Sequence, residues 1–261
     1  MAEPITARDR AAATETFLLP RDTMPGPHLI DLREHPNPAL LAAFEDLYRR
    51  TFTDPAERED PAQWPPRLYG DLPAPQPRMH LLVAVDEPGR NLLGGIAFEY
   101  YRDSRCGLLT YLVTAADSRR RGLGRRLVHG ALARLHQEAQ AHGSSLRGVF
   151  AEAEDPDQVG PDGNAMPPHE RLTALARLGA RRIDVPYVQP ALEGGSGPCR
   201  HLLLLVFHPP SGAVPGAVVQ GFLHEFYRAL GITDPASDAD FRAMERALTE
   251  RSNCAVTIAA R

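Results

Sequence analysis

The stretch Leu112-Val113-Thr114-Ala115-Ala116-Asp117-Ser118-Arg119-Arg120-Arg121-Gly122-Leu123-Gly124-Arg125-Arg126-Leu127 decides how the rest of the chain is read. It opens on the end of an apolar run of strand character, Gly107 to Thr114. From Gly122 the period changes. Leu123, Leu127, Ala131 and Leu135 recur every four residues, with Val128 and Leu132 beside them. The spacing predicts an amphipathic helix from Gly122 to His142, with Gly143 as its stop. Between strand and helix lie five Arg in eight residues and two Gly one residue apart. The first N–H groups of a helix have no internal partner, and the macrodipole adds partial positive charge there. Glycine lets a ligand approach the backbone closely. Together these features describe a phosphate or pyrophosphate site. Charge-assisted N–H bonds, at roughly 1.5–3 kcal/mol each, outweigh the dipole, at about 0.3–1 kcal/mol.

Other phosphate motifs fit worse. All 29 basic residues are Arg and none is Lys, so a P-loop and Schiff-base chemistry are both excluded. A dinucleotide fingerprint would need a third Gly where Leu127 stands. It would also open the first strand of a βαβ unit, whereas several strands precede this turn in hairpin order.

Upstream of that stretch, His28 to Leu32 alternates as a strand. Ala39 to Phe52 has helical spacing behind Pro38, and a short helix is expected from Pro61 to Tyr69. Met79 to Val85 and Leu92 to Tyr101 are apolar strands. Asp103-Ser104-Arg105 turns the second into Gly107 to Thr114. Downstream, Leu146 to Ala153 returns to strand character, and an acidic loop spans Glu154 to Pro168. A helix follows from Glu170 to Leu178, closed by Gly179. Arg182 to Val188 and His201 to Phe207 read as strands joined by a Gly-rich loop, Glu193 to Pro198. Pro209 to Gly216 reads as a linker, followed by helices from Val218 to Leu230 and from Asp238 to Arg251. The division expected is a loose arm at 1–26, a main domain at 27–208 and a C-terminal helical extension at 209–261.

Composition limits the function classes. Of 261 residues, 43% are hydrophobic and 24% charged, as in ordinary globular proteins. The net charge of −4 speaks against a nucleic-acid binder. No apolar run approaches the roughly 20 residues that span a bilayer. Neither a secretory leader nor a disulfide scaffold is expected, the three Cys (Cys106, Cys199, Cys254) being scattered, so the cytoplasm is the expected compartment.

Arg119-x-x-Gly122-x-Gly124 resembles the Arg/Gln-x-x-Gly-x-Gly/Ala signature of the GNAT superfamily of N-acetyltransferases. The order of elements from Leu29 to Phe207 resembles the whole fold of that family. It runs strand, two helices, three antiparallel strands, signature helix, strand, helix, two strands. The resemblance implies an α/β (α+β) fold with a mixed, mostly antiparallel central sheet flanked by helices, here with the C-terminal helical extension added. It implies acetyl-CoA as co-substrate, bound through the backbone of Arg119, Arg120, Arg121, Gly122, Leu123, Gly124 and Arg125. It further implies that Leu112, Val113 and Thr114 pair with the pantetheine arm, and that the strands Gly107–Thr114 and Leu146–Ala153 splay to admit the acyl group. Two positions depart from the family pattern. Ala116 stands where many members carry Pro, and Leu175 where many carry a Tyr that protonates the departing thiolate.

The acid/base residues stay open. An ammonium must lose a proton before it attacks a thioester. Glu152, Glu154, Asp155 and Asp157 crowd the end of a strand, with Asp162 beyond them. Strand alternation puts Glu152 and Glu154 on one face, either facing a cleft or facing water. Glu99 is a second candidate base, and Tyr111 and Tyr187 are candidate acids. Cys199-x-His201 and His208 lack a second ligand pair, so no metal is expected. The reading is an N-acetyltransferase acting on a cationic amine without an acyl-enzyme. No nucleic acid or membrane partner is expected, and a homodimer is left open. The alternative is a non-catalytic acyl-CoA sensor or scaffold with the same fold.

Overall fold

The computed structural model describes residues 27–53, 58–86, 91–118, 122–160, 166–192, 197–207 and 213–250, and the backbone of 253–257. Four strands open the sheet as antiparallel neighbours: β1 (His28–Asp31), β2 (Arg78–Val85), β3 (Leu92–Tyr101) and β4 (Cys106–Thr114). Between β1 and β2 run α1 (Pro38–Thr51) and α2 (Trp64–Tyr69). Asn37 caps α1 by accepting from the Leu40 N–H at 3.1 Å, and Pro38 follows at the position where a missing N–H costs nothing. Leu40, Leu41, Phe44 and Tyr48 then form its buried stripe.

A long helix, α3 (Leu123–Ala141), carries the chain from β4 to β5 (Gly148–Glu154). A crossover of this kind brings the second strand in parallel, and β4 and β5 are the parallel pair. Their ladder is short, running from Cys106 opposite Gly148 to Leu109 opposite Ala151. There β4 also bulges. Ala97 pairs with Tyr111 and Phe98 with Leu109, which leaves Thr110 unmatched against β3. A bulge bends its strand, and beyond it β4 and β5 part company. After α4 (Pro168–Arg177) come β6 (Ala180–Ile183) and β7 (Leu202–Phe207), with β7 seated between β5 and β6.

One sheet face is covered by α3 and α4, through Leu82, Phe98, Leu127, Leu135, Val149 and Leu205. The opposite face carries two separate clusters. Phe44, Tyr48, Trp64, Leu81 and Val83 gather under α1 and α2. Phe150, Leu204, Phe222, Phe226 and Met244 gather under α5 (Gly216–Ala229) and α6 (Ala239–Thr249). Buried Glu225 ties α5 to the β3–β4 turn, accepting from the N–H groups of Asp103 (3.1 Å) and Ser104 (2.8 Å).

The structure corrects two readings. Strand character expected from Arg182 to Val188 stops at Ile183. Pro186 has no N–H for a ladder, and the chain turns tightly, with Val185 N–H on Ile183 O (3.0 Å) and Tyr187 N–H on Val185 O (2.8 Å). The stretch read as a linker contains β8 (Ala213–Pro215), and α6 is followed by β9 (Asn253–Thr257), which pairs with both β6 and β8. Strands of three and five residues are too short to show a period. The arm at 1–26 lies outside the described residues.

Candidate active site

The parting of β4 and β5 opens into a cavity of about 1720 Å³ that reaches both faces of the sheet. At one end lies the start of α3. Gly122 is its N-cap with φ +77°, a left-handed conformation that glycine adopts freely, and among the described residues no side chain caps the helix. A Cβ on Gly122 would meet nothing within 4 Å, and one on Gly124 only the tip of Leu178 at 3.9 Å. Gly122, Leu123, Gly124 and Arg125 line the cavity, so the first turn borders on its space, as an anion site would require. Arg125 is exposed and Leu123 is buried in the core. Arg119, Arg120 and Arg121 lie outside the described residues. Leu112 and Thr114 line the cavity, while the Val113 side chain packs under α1 and α2. From Thr110 to Thr114 the edge of β4 that faces β5 has no strand partner among the described residues.

On the far side of the sheet the lining turns acidic. Glu59, Asp60, Glu99 and Glu152 line this end, with Arg67 set between two of them. Arg67 Nη1 meets Glu59 Oε2 at 2.5 Å, and its Nη2 is paired with Glu99 Oε1. The other Glu99 oxygen accepts from the Tyr101 hydroxyl at 2.6 Å. Burial raises the Glu99 pKa, and Arg67 works against it. Glu152 is half-buried and stands one residue past the last β4–β5 pair. Its Oε1 accepts from the Tyr187 hydroxyl and from Gln189 Nε2, the latter at 2.9 Å. Burial pushes the Glu152 carboxyl up to about 7, against the pull of those two hydrogen bonds and with the charges of Glu99 and Glu59 adding to the rise.

The crowded acids separate into different roles. Glu154 is buried and pairs with Arg171 Nη1 at 2.8 Å, and the Arg171 guanidinium stands 5.8 Å from the Phe52 ring. Asp155 binds its own turn, accepting from Asp157 N–H (3.1 Å) and Gln158 Nε2 (3.0 Å). Asp157 is exposed, and Asp162 lies outside the described residues. Tyr187 stands behind Glu152, buried and off the cavity surface. Burial drives its hydroxyl pKa well up, as it does for Tyr111. Tyr111 lines the cavity but packs edge-on against Tyr48, with ring centroids 4.7 Å apart. Leu175 also lines the cavity, so an aliphatic side chain occupies the departure noted above.

Sequence reasoning missed Glu59, Arg67 and Gln189. Each is an ordinary loop or short-helix residue whose role appears only when β3, β5 and the α1–α2 connection come together. Among the described residues no group of three His, Cys, Asp or Glu side chains gathers as metal ligands, and no helix is long and apolar enough to cross a membrane.

Residues 41–155 match the family model for the acetyltransferase (GNAT) family. No curated protein matches the chain by sequence. Among solved structures, a GNAT-family protein from Bacteroides thetaiotaomicron is similar at 15% identity, covering 75% of this chain and 94% of its own, with a TM-score of 0.54. The ribosomal-protein-S18-alanine N-acetyltransferase of Escherichia coli covers 69% and 92% at 12% identity and a TM-score of 0.42. The aminoglycoside 6'-N-acetyltransferase of Enterococcus faecium covers 69% and 96% at 17% identity and a TM-score of 0.43. At such identities the likeness is one of fold.

Proposed function

We propose that this protein, whose residues 41–155 match the family model for the acetyltransferase (GNAT) family, transfers an acetyl group from acetyl-CoA to a primary amine by direct attack. The observation that carries the reading is the parting of β4 and β5 after Leu109 and Ala151, with Glu152 immediately beyond it. One cavity thereby joins a glycine-lined helix start to an acid-rich chamber.

The open first turn of α3 holds the pyrophosphate through its N–H groups. The unpaired edge of β4 takes the extended pantetheine arm as an added strand. A main-chain N–H on that edge polarises the thioester carbonyl and stabilises the oxyanion. The acid-rich chamber attracts a cationic amine. Glu152, near pKa 7, is partly ionised at neutral pH and removes the proton that an ammonium of pKa near 10 must lose. The amine nitrogen bonds to the carbonyl carbon, the C–S bond breaks, and the thiolate takes its proton from solvent, since Leu175 offers none. Tyr187 and Gln189 act as positioning residues by fixing Glu152.

Calorimetric titration of acetyl-CoA into the protein, followed by an amine panel, tests the reading. Micromolar binding that Gly124→Glu abolishes, with transfer to at least one amine, is the expected result. No binding at millimolar acetyl-CoA would overturn it. Leu175 supports a second reading, a non-catalytic acyl-CoA-binding module, which predicts binding without transfer.

A further inference from the structure

The lining of the acid-rich chamber includes two segments far apart in sequence. One is Leu72-Pro73-Ala74-Pro75-Gln76-Pro77, which leads from α2 into β2. Its three prolines fix φ along the segment. The Gln76 N–H also turns back onto Pro73 O at 3.0 Å, so the Gln76 side chain stands on a stiff support.

The other segment is the end of α5. The last carbonyls of a helix have no partner within it. Here Phe226 O accepts from Leu230 N–H at 3.1 Å, while Tyr227 O and Arg228 O accept from Ile232 and Gly231 N–H at 3.0 Å. The remaining carbonyl, that of Ala229, accepts from Gln76 Nε2 at 3.0 Å. Gln76 therefore caps α5 from 153 residues away. Gln76 and Leu72 on one side, and Ala229 and Leu230 on the other, line the same cavity as Glu99 and Glu152. Pro73, Ala74 and Gly231 beside the bond are exposed, whereas Glu99 deeper in is buried, so the bond spans the outer end of the chamber.

We infer that the Gln76–Ala229 bond is a crossbar that limits the size of the acceptor, and that Gln76 is a specificity-determining residue for the acetyl transfer proposed above, on which this inference rests. An amine on a slender chain passes the bar. One on a bulky rigid body, including a lysine on the surface of a folded protein, is held outside. The acceptor class is thus a small or linear amine. The C-terminal segment belongs to the acceptor site through this contact.

The test compares kcat/KM for 1,4-diaminobutane and for 1-(aminomethyl)adamantane, using the full-length wild-type chain and Gln76→Ala. Wild type is expected to favour the linear amine, and Gln76→Ala to raise the bulky-to-linear ratio by about tenfold. Gln76→Leu, which removes the donor but keeps the bulk, is expected to raise it less. Should Gln76→Ala fail to fold, Leu72→Ala widens the same gap without touching the cap and must give the same rise. A ratio within about twofold of wild type in the folded variants overturns the crossbar while leaving acetyl transfer standing. Wild-type protein that binds acetyl-CoA yet acetylates no amine in a broad panel overturns the activity, and the crossbar with it.

Discussion

The polar cluster beneath α3 and the polar cluster beneath α1 and α2 both set carboxylates beside arginine, on opposite faces of one sheet. In the first, buried His80 meets Asp31 Oδ2 through Nδ1 at 2.9 Å and Glu138 Oε1 through Nε2 at 3.2 Å. Arg134 Nε reaches Asp31 at 3.1 Å, and Arg78 reaches Glu138 at 3.3 Å. None of Asp31, His80 and Glu138 lines the cavity. Burial favours a protonated Glu138, yet the His80 ring and Arg78 outweigh it and hold the carboxyl down at about 2. Burial likewise lowers His80, and its hydrogen bonds to Asp31 and Glu138 raise it more. In the second cluster Glu59 and Glu99 share Arg67, Glu152 has only the uncharged Tyr187 and Gln189 as partners, and all three carboxylates line the cavity. There the balance fails, and Glu152 rises to about 7. A balanced cluster locks each group into one charge state and serves packing. An acid-rich cluster beside a cavity leaves a carboxylate poised for proton transfer at neutral pH.

The contrast is broken most directly at Glu152. Glu152→Gln is expected to lower kcat/KM for an amine by about 10²–10⁴, with acetyl-CoA affinity by calorimetry within about twofold of wild type, since the base adds no contact to the pyrophosphate site. Its effect on stability has the opposite sign. The folded pKa of Glu152 lies above that of an unfolded Glu, so wild type loses stability as pH rises through about 7. The variant does not, so its Tm exceeds that of wild type at alkaline pH and the two converge below about pH 4.

Breaking the balanced cluster reverses the pattern. His80→Leu leaves Asp31 and Glu138 without the ring between them, and urea unfolding is expected to lose about 3–5 kcal/mol. The kcat/KM of the folded fraction stays near wild type. The raised His80 pKa means that its share of stability is present below the unfolded value and fades as pH rises through the folded one. The Glu138 share is present above the unfolded Glu value and is lost as pH falls through about 2.

Arg67→Gln sharpens the comparison by removing the cation that Glu59 and Glu99 share. Glu152 then feels both carboxylates uncompensated, and the acid limb of the kcat/KM profile is expected to move up by about one pH unit. The smallest effect is expected at Glu225→Gln, where weakened bonds to the β3–β4 turn cost about 1–2 kcal/mol, seen as a lower urea midpoint at unchanged m.

The start of α3 was legible because its chemistry belongs to the backbone. Two glycines and a change of period mark an open helix end without any tertiary contact. Glu152 was legible as a candidate because it ends an apolar strand beside a predicted splay. Its separation from Glu154 was not legible, since that depends on Arg171 arriving from α4 and on Tyr187 and Gln189 arriving after β6. Glu59 and Arg67 gave no signal, because a loop acid and a helix arginine gain meaning only by meeting Glu99 from β3. The short strands β8 and β9 were hidden for a related reason, each being defined by its partner rather than by a pattern of its own.

The role of Glu152 is tested most directly by the pH dependence of kcat/KM for acetyl transfer to an amine of high pKa, in wild type and in Glu152→Gln. The wild-type profile is expected to rise through an apparent pKa near 7, clear of the amine's own titration, and the variant to lose that limb together with most of the activity. A limb near 7 that survives in Glu152→Gln with undiminished activity would contradict that role.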